Sequence, residues 1–406
     1  MIGEGTPIKI AFSTADNGKD GELFTSLKRL LGQRGHYIKT IATDQNKSFD
    51  GEGNDLITYD ILRSFYEESL GVDCVLYDRH SPFCFLADLF VHKAMQINLA
   101  PDLYPVKPGT QLDFNKVARI FNRLSQRIFP KDSVLKSEKE ASRFRKSLGL
   151  TFSNNPDNSI SSIYGVSEYL LKKPVDYPIN SYFTGLWINN DTQKAGNLNP
   201  LLLSDKKTVL IVLPKTNPDL SVFKMMIKVC NDLGLYSLVA VEPEVEKEFQ
   251  PLLGEASMVV HFDPTDLIPI VDAVIYPVDV RLTMECLFHG KPSVSYFTND
   301  RTPDQKFWTD LSFVNNCSLE SVSLKKSTEE GWALKLNMLI NQGQIGFRCR
   351  QIAAQLHKEE GLQRATQLIE MRFCPQFTFT KASVGTRQEA VIAKITANDE
   401  THTFSK

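Results

Sequence analysis

Thr208-Val209-Leu210-Ile211-Val212-Leu213 is the stretch that decides the fold class. Its residues are apolar without alternation, as expected of a strand covered on both faces of a parallel sheet. A helical pattern follows over Val222 to Leu233, then a second strand, Tyr236-Ser237-Leu238-Val239-Ala240-Val241. Met258-Val259-Val260 and Ala273-Val274-Ile275-Tyr276 read as further short strands. Two helices, about Glu329–Asn341 and Gly346–Met371, close this half. Strands alternating with helices mean βαβ units and a parallel sheet.

The same alternation occupies the first hundred residues. Ile8-Lys9-Ile10-Ala11-Phe12 is a strand, and Ala15-Asp16-Asn17-Gly18-Lys19-Asp20-Gly21 is a polar loop. Leu23, Phe24, Leu27, Leu30 and Leu31 recur at helical spacing up to Gly35-His36. Tyr37 to Ala42, Cys74 to Tyr77 and Met95 to Leu99 are the next strands. Further helices carry Phe114, Val117, Ile120, Phe121, Leu124 and Ile128 on one face, and cover about Ser137 to Leu148. Polar residues Asn189 to Asn199 read as a linker. The expected division is a first domain at 1–190, a linker at 191–205, a second domain at 206–375 and a polar tail at 376–406.

Composition narrows the function classes. The chain has 406 residues, 46 basic and 48 acidic, for a net charge of −2, so it lacks the basic excess of a nucleic-acid binder. No apolar run reaches the length of a membrane span, and residues 1–7 lack a signal-peptide pattern, so the cytosol is the expected location. The seven cysteines include no C-x-x-C pair, which argues against a disulfide framework or zinc ribbon. Open α/β sheets bind ligands beyond the carboxyl ends of their strands. Two such domains facing each other would make a cleft for two substrates.

Several blocks then resemble one family. Phe144-Arg145-Lys146-Ser147-Leu148-Gly149-Leu150, Ile163-Tyr164-Gly165-Val166-Ser167, Pro174-Val175-Asp176-Tyr177-Pro178 and Thr184-Gly185-Leu186-Trp187 come first. Asp272-Ala273-Val274-Ile275, Gly290-Lys291-Pro292, Asp304-Gln305-Lys306-Phe307-Trp308 and Glu360 to Glu370 follow in the same order. Together they resemble the sterol glucosyltransferases and related antibiotic glycosyltransferases of the UDP-glycosyltransferase superfamily, over about residues 8 to 371. The resemblance implies an α/β chain of the GT-B fold, two Rossmann-like parallel-sheet domains facing a central cleft. It implies inverting transfer of a hexose from a UDP- or TDP-sugar to a hydroxyl of an apolar, sterol-like, lipid or aglycone acceptor. The first domain would hold the acceptor and the second the donor. No bound cofactor and no metal is called for, since no Asp-x-Asp motif stands in a loop. Weak peripheral membrane contact would suit a lipid acceptor, although no basic amphipathic helix demands it.

The resemblance also assigns residues. Asp20, in the Gly18-Lys19-Asp20 loop, would be the general base at the acceptor hydroxyl. Its other reading is an N-cap of the helix it precedes, and Asp16 is the alternative carboxylate. Asp304 and Gln305 would fix sugar hydroxyls, with helix capping as the other reading. Trp308 reads as core.

The phosphate loop departs from the family. A histidine and three glycines are replaced by Tyr276-Pro277-Val278-Asp279-Val280-Arg281-Leu282-Thr283. Pro277 removes an N–H, and Asp279 opposes a diphosphate. Arg281 would compensate by charge-assisted hydrogen bonds, and Thr283 would contact phosphate or cap a helix. Glu285 would touch ribose or serve as a first-turn acid. Lys215, in the altered Leu213-Pro214-Lys215-Thr216-Asn217 turn, would meet a phosphate, and Asp266 stands where the family stacks an aromatic on the base. His36 and His289 read as helix-end residues. These departures leave two alternatives: an inactive GT-B homologue acting as a binding or scaffold protein, and a GT-B enzyme of another reaction type.

Overall fold

The computed structural model describes residues 6–14, 21–41, 48–49, 55–78, 81–100, 131–150, 160–173, 177–188, 206–214, 220–241, 257–260, 263–298, 301–341 and 343–374. The expected helix at 114–128, the linker, the polar tail, Asp16, Asp20 and Lys215 lie outside these residues.

The first half contains β1 (Lys9–Ser13), α1 (Gly21–Gln33), β2 (Tyr37–Thr40), the short antiparallel pair β3 (Ser48–Phe49) and β4 (Asp55–Leu56), and α2 (Tyr59–Leu70). It continues with β5 (Cys74–Tyr77), two 3-10 turns at Pro82–Phe85 and Ala87–Phe90, β6 (Ala94–Asn98), α3 (Lys131–Ser147), β7 (Ser161–Tyr164) and β8 (Ser181–Phe183). Six of these strands form one sheet in the order β2-β1-β5-β6-β7-β8. All its pairings are parallel.

The second half contains β9 (Thr208–Val212), α4 (Leu220–Asp232), β10 (Tyr236–Ala240), β11 (Ser257–Val260), the short α5 (Pro264–Leu267) and β12 (Ala273–Pro277). Then come α6 (Val280–Phe288), β13 (Ser293–Phe297), α7 (Pro303–Val314), β14 (Ser318–Ser323), α8 (Glu329–Asn341), α9 (Gly343–Leu356) and α10 (Gly361–Phe373). Its sheet runs β11-β10-β9-β12-β13-β14, again all parallel. This is the 3-2-1-4-5-6 order of a doubly wound sheet. β9 is buried along its whole length, which explains the unbroken apolar run.

Each sheet has a point where the strand order reverses. In the first it lies between β1 and β5, and in the second between β9 and β12. Ligand sites of open α/β sheets form beyond the carboxyl ends of such strands.

The single helix expected over 346–371 is two. The break falls at His357 to Glu360, where Glu360 adopts a left-handed φ of 50°. Gly361 then passes the backbone of the first half so closely that a Cβ there would sit 2.5 Å from the Gly185 carbonyl carbon. Only glycine allows that approach. Beyond the break, α10 packs on α1, and Leu362, Ala365 and Ile369 share one apolar cluster with Ile10, Phe12, Leu27 and Leu31. The last helix of the second half therefore completes the core of the first.

Candidate active site

At the first switch point, β1 and β5 run level, Ser13 opposite Tyr77. Ile10 to Phe12 and Cys74 to Leu76 are apolar, and the two strands then end in Ser13 and Tyr77. Thr14 and Asp78 follow them, and both are buried. Asp78 N donates to Ser13 O at 3.2 Å, and Ser13 Oγ lies 2.5 Å from Ser81 Oγ. Asp78 is a carboxylate that sequence reading passed over, although it directly follows the apolar strand Cys74–Tyr77. It stands across the switch point from the end of β1. α1 begins at Gly21, immediately after Asp20.

At the second switch point, Asp279 caps α6. Its Oδ1 accepts from Leu282 N at 2.9 Å, and its carbonyl accepts from Thr283 Oγ1 at 2.7 Å. Thr283 is wholly buried and also accepts from Tyr276 OH at 3.0 Å. The Thr283 hydroxyl is thus turned inward, to its own helix and strand. Arg281 reaches the other way. Its Nη2 donates to Asp263 Oδ2 at 2.9 Å and to Thr265 Oγ1 at 3.1 Å. Asp263 in turn caps α5, accepting from Thr265 N at 3.0 Å. Burial opposes ionisation of Asp263. The Thr265 N–H and the Arg281 charge outweigh that, and hold its carboxyl below the ordinary range. Glu285 faces His289 at the far end of α6, Oε2 to Nε2 at 3.4 Å. Arg281, Thr283 and Glu285 therefore engage three different neighbours.

Asp304 and Gln305 occupy the first turn of α7. Thr302 is its N-cap, and Gln305 returns the bond: Thr302 N donates to Gln305 Oε1 at 3.0 Å, and Gln305 N to Thr302 Oγ1 at 3.3 Å. The Gln305 side-chain carbonyl is committed to this capping box, which leaves the side-chain N–H groups for other work. Asp304 is half-buried. Trp308, four residues on and so on the same helix face, is fully buried, as expected of core. Its Nε1 donates to Leu99 O, just past β6, at 3.0 Å. This bond brings the helix of Asp304 against the carboxyl edge of the first sheet. Asn315 Nδ2 makes a second link, to Leu170 O at 3.2 Å. Phe83 and Leu86, in the apolar loop after β5, are fully buried and pack in the first core.

Two six-stranded parallel sheets, meeting at their carboxyl edges through α7 and α10, are a known arrangement. The chain has the GT-B fold. The calicheamicin glycosyltransferase CalG4 aligns with a TM-score of 0.67 and 15% identity, covering 92% of this chain and 100% of its own. The glycotransferase of kitacinnamycin aligns at 0.64 and 17%, over 91% and 100%. Glycosyltransferase VinC, solved with DTDP, aligns at 0.56 and 12%, over 90% and 98%. No protein-family model matches the sequence, and no curated protein does. In this GT-B chain, no helix among the described residues is long and apolar enough to cross a membrane.

Proposed function

We propose that this chain transfers a hexose, with inversion, from a UDP- or TDP-sugar to a hydroxyl of a sterol-like, lipid or aglycone acceptor. The observation that carries the reading is the Trp308–Leu99 bond. It holds the α7 start, with Asp304, beside the strand ends of the first sheet. A donor sugar held by Asp304 and the free Gln305 amide would then lie next to an acceptor held by the first sheet.

In this reading residues 1–190 take the acceptor and 206–375 the donor. Asp20 removes the acceptor proton as the sugar carbon is attacked, and Asp78, at the end of β5, orients or stabilises that step. Arg281 and Lys215 meet the diphosphate, Thr283 holds the α6 start in place, and Glu285 contacts ribose. The cytosol supplies the nucleotide sugar. Similarity to glycosyltransferases over nearly the whole chain supports the reaction class, and the DTDP in the VinC structure supports the donor class.

One observation favours a second reading, a GT-B protein without donor binding. The Asp279 carboxylate already occupies the α6 N-terminus, where backbone N–H groups would otherwise receive an anion. Calorimetric titration with UDP, TDP, GDP and their glucose conjugates separates the two. Saturable binding of one nucleotide, tighter with its sugar attached, supports transfer. No binding at millimolar concentration to folded protein supports the second reading.

A further inference from the structure

The end of β6 holds a polar side chain that the fold does not use. Asn98 is 2% exposed, and among the described residues neither its Nδ2 nor its Oδ1 has a hydrogen-bond partner. Its carbonyl is engaged, accepting from Gly165 N at 2.8 Å. Strand alternation explains which way the side chain goes. Met95, Ile97 and Leu99 enter the cluster beneath α1 and α10, so Gln96 and Asn98 face the other side. On that side the neighbouring polar groups are satisfied. Ser162 Oγ donates to Gln96 Oε1 at 3.1 Å, and Ser13 pairs with Ser81. Asn98, one step closer to the carboxyl edge, is left without a partner.

An unpaired buried polar group costs about 1–3 kcal/mol. A leucine would fill the position without that cost, so packing does not account for an asparagine. The position does. Asn98 ends β6 at the carboxyl edge of the sheet, where open α/β folds take their ligands, and the backbone carbonyl next to it receives Trp308 Nε1. A second orphan, Thr14 Oγ1, is 4% exposed at the end of β1. Thr14 stands at the same carboxyl edge, two strands away and, by the same alternation, on the α1 face of the sheet.

We propose that Asn98 binds two adjacent hydroxyls of the acceptor, one donating to Oδ1 and the other accepting from Nδ2. A carboxylate or phosphate would use Nδ2 alone and leave Oδ1 unpaired. An apolar group would satisfy neither atom. The ligand class is therefore a ring bearing a vicinal diol, as in a glycoside or a catechol. The inference rests on the acceptor half of the proposed function and does not depend on transfer.

The test uses the full chain without any nucleotide sugar. Two fluorescent coumarins are titrated: 4-methylesculetin, with adjacent hydroxyls, and 4-methylumbelliferone, with one. Wild-type protein is expected to bind the diol about tenfold more tightly. Asn98→Leu is expected to bind both alike and to melt no lower than wild type, because it removes two orphaned polar atoms. Asn98→Ala carries the same test without added bulk. Equal binding of both probes by wild type, binding of neither, or a retained preference in the variants overturns the proposal. So does a lower melting temperature in both variants, which would mean that the amide holds the fold. Loss of transfer with the diol preference intact would count against the proposed function and leave this subsite standing.

Discussion

Glu370 accepts a hydrogen bond from Arg34 Nη1 at 2.7 Å, and the two residues lie 336 positions apart in the chain. The other Glu370 oxygen lies 3.1 Å from His36 Nε2, while His36 Nδ1 accepts from Ile8 N at 3.4 Å. The Nδ1 contact places the ring proton on Nε2, towards Glu370. One buried carboxylate thus ties α10 to two residues at the end of α1. Glu370→Ala leaves a partly buried guanidinium and the buried His36 ring without their partner and should cost about 3 kcal/mol, the lower end for a buried pair. Urea unfolding of wild type and variant checks this. A loss within error of zero would mean that the apolar face of α10 alone holds the helix.

Asp279 is both a helix cap and a negative charge where the proposed donor carries its own. Asp279→Ser keeps a favoured cap and removes the charge. The variant should melt near wild type and bind TDP about tenfold more tightly, equivalent to about 1.4 kcal/mol. Calorimetry reads both proteins in one buffer. Unchanged affinity would mean that the diphosphate does not approach α6.

Glu359 packs against Gly185 at the break before α10, and its Oε2 is buried with no hydrogen-bond partner among the described residues. Burial pushes its carboxyl above the ordinary value of 4.5. Ser167, Arg364 and the Glu168 backbone pull the other way by less. A carboxyl raised in the folded state binds more protons there than in the unfolded chain. Its contribution is therefore most favourable below 4.5 and is lost as pH rises through the raised value. Glu359→Gln should stabilise the protein at neutral pH and flatten this part of the profile. Thermal melts between pH 4 and pH 8 provide the test (roughly one unit per step suffices for a shift of this kind). A parallel displacement of the two profiles would show that Glu359 does not titrate in this range.

The proposed base and the proposed sugar ligand should separate kinetically. Asp20→Asn should abolish turnover and leave donor affinity within a few-fold. Asp304→Ala should weaken sugar-nucleotide binding more than binding of the bare nucleotide. Product assays and titrations with TDP and TDP-glucose distinguish them. Turnover by Asp20→Asn would remove the base assignment, and equal losses for Asp304→Ala would mean that it acts through the fold.

The fold was legible because each central strand states its own burial. Thr208–Val212 is apolar without alternation and is covered on both faces. The break before α10 was not. His357, Lys358, Glu359 and Glu360 continue a helical pattern, and the turn is imposed by the passage of Gly361 against Gly185, a contact between distant parts of the chain. Which residues meet at the candidate site was legible only in part. The start of α7, which carries Asp304, lies at the junction of the two sheets. The partners of Arg281 and Thr283 were hidden, since Asp263 and Tyr276 meet them only once β12 and α5 are folded. Asp78 and Asn98 went unnoticed because a single polar residue after an apolar strand has no signal until its neighbours in the sheet are known.

The packing of α10 on α1 also sets an order of events during synthesis. Glu370 follows His36 by 334 residues. At about 5–20 residues per second, the ribosome takes roughly 17–67 s to cover that distance. Throughout that time Leu27 and Leu31 lack the helix that covers them in the finished protein. The nascent first half thus presents an apolar face to the cell until the second half has been translated. A chaperone that shields this face, or slow folding of the first half until the end arrives, is the demand this architecture makes on the cell that produces it.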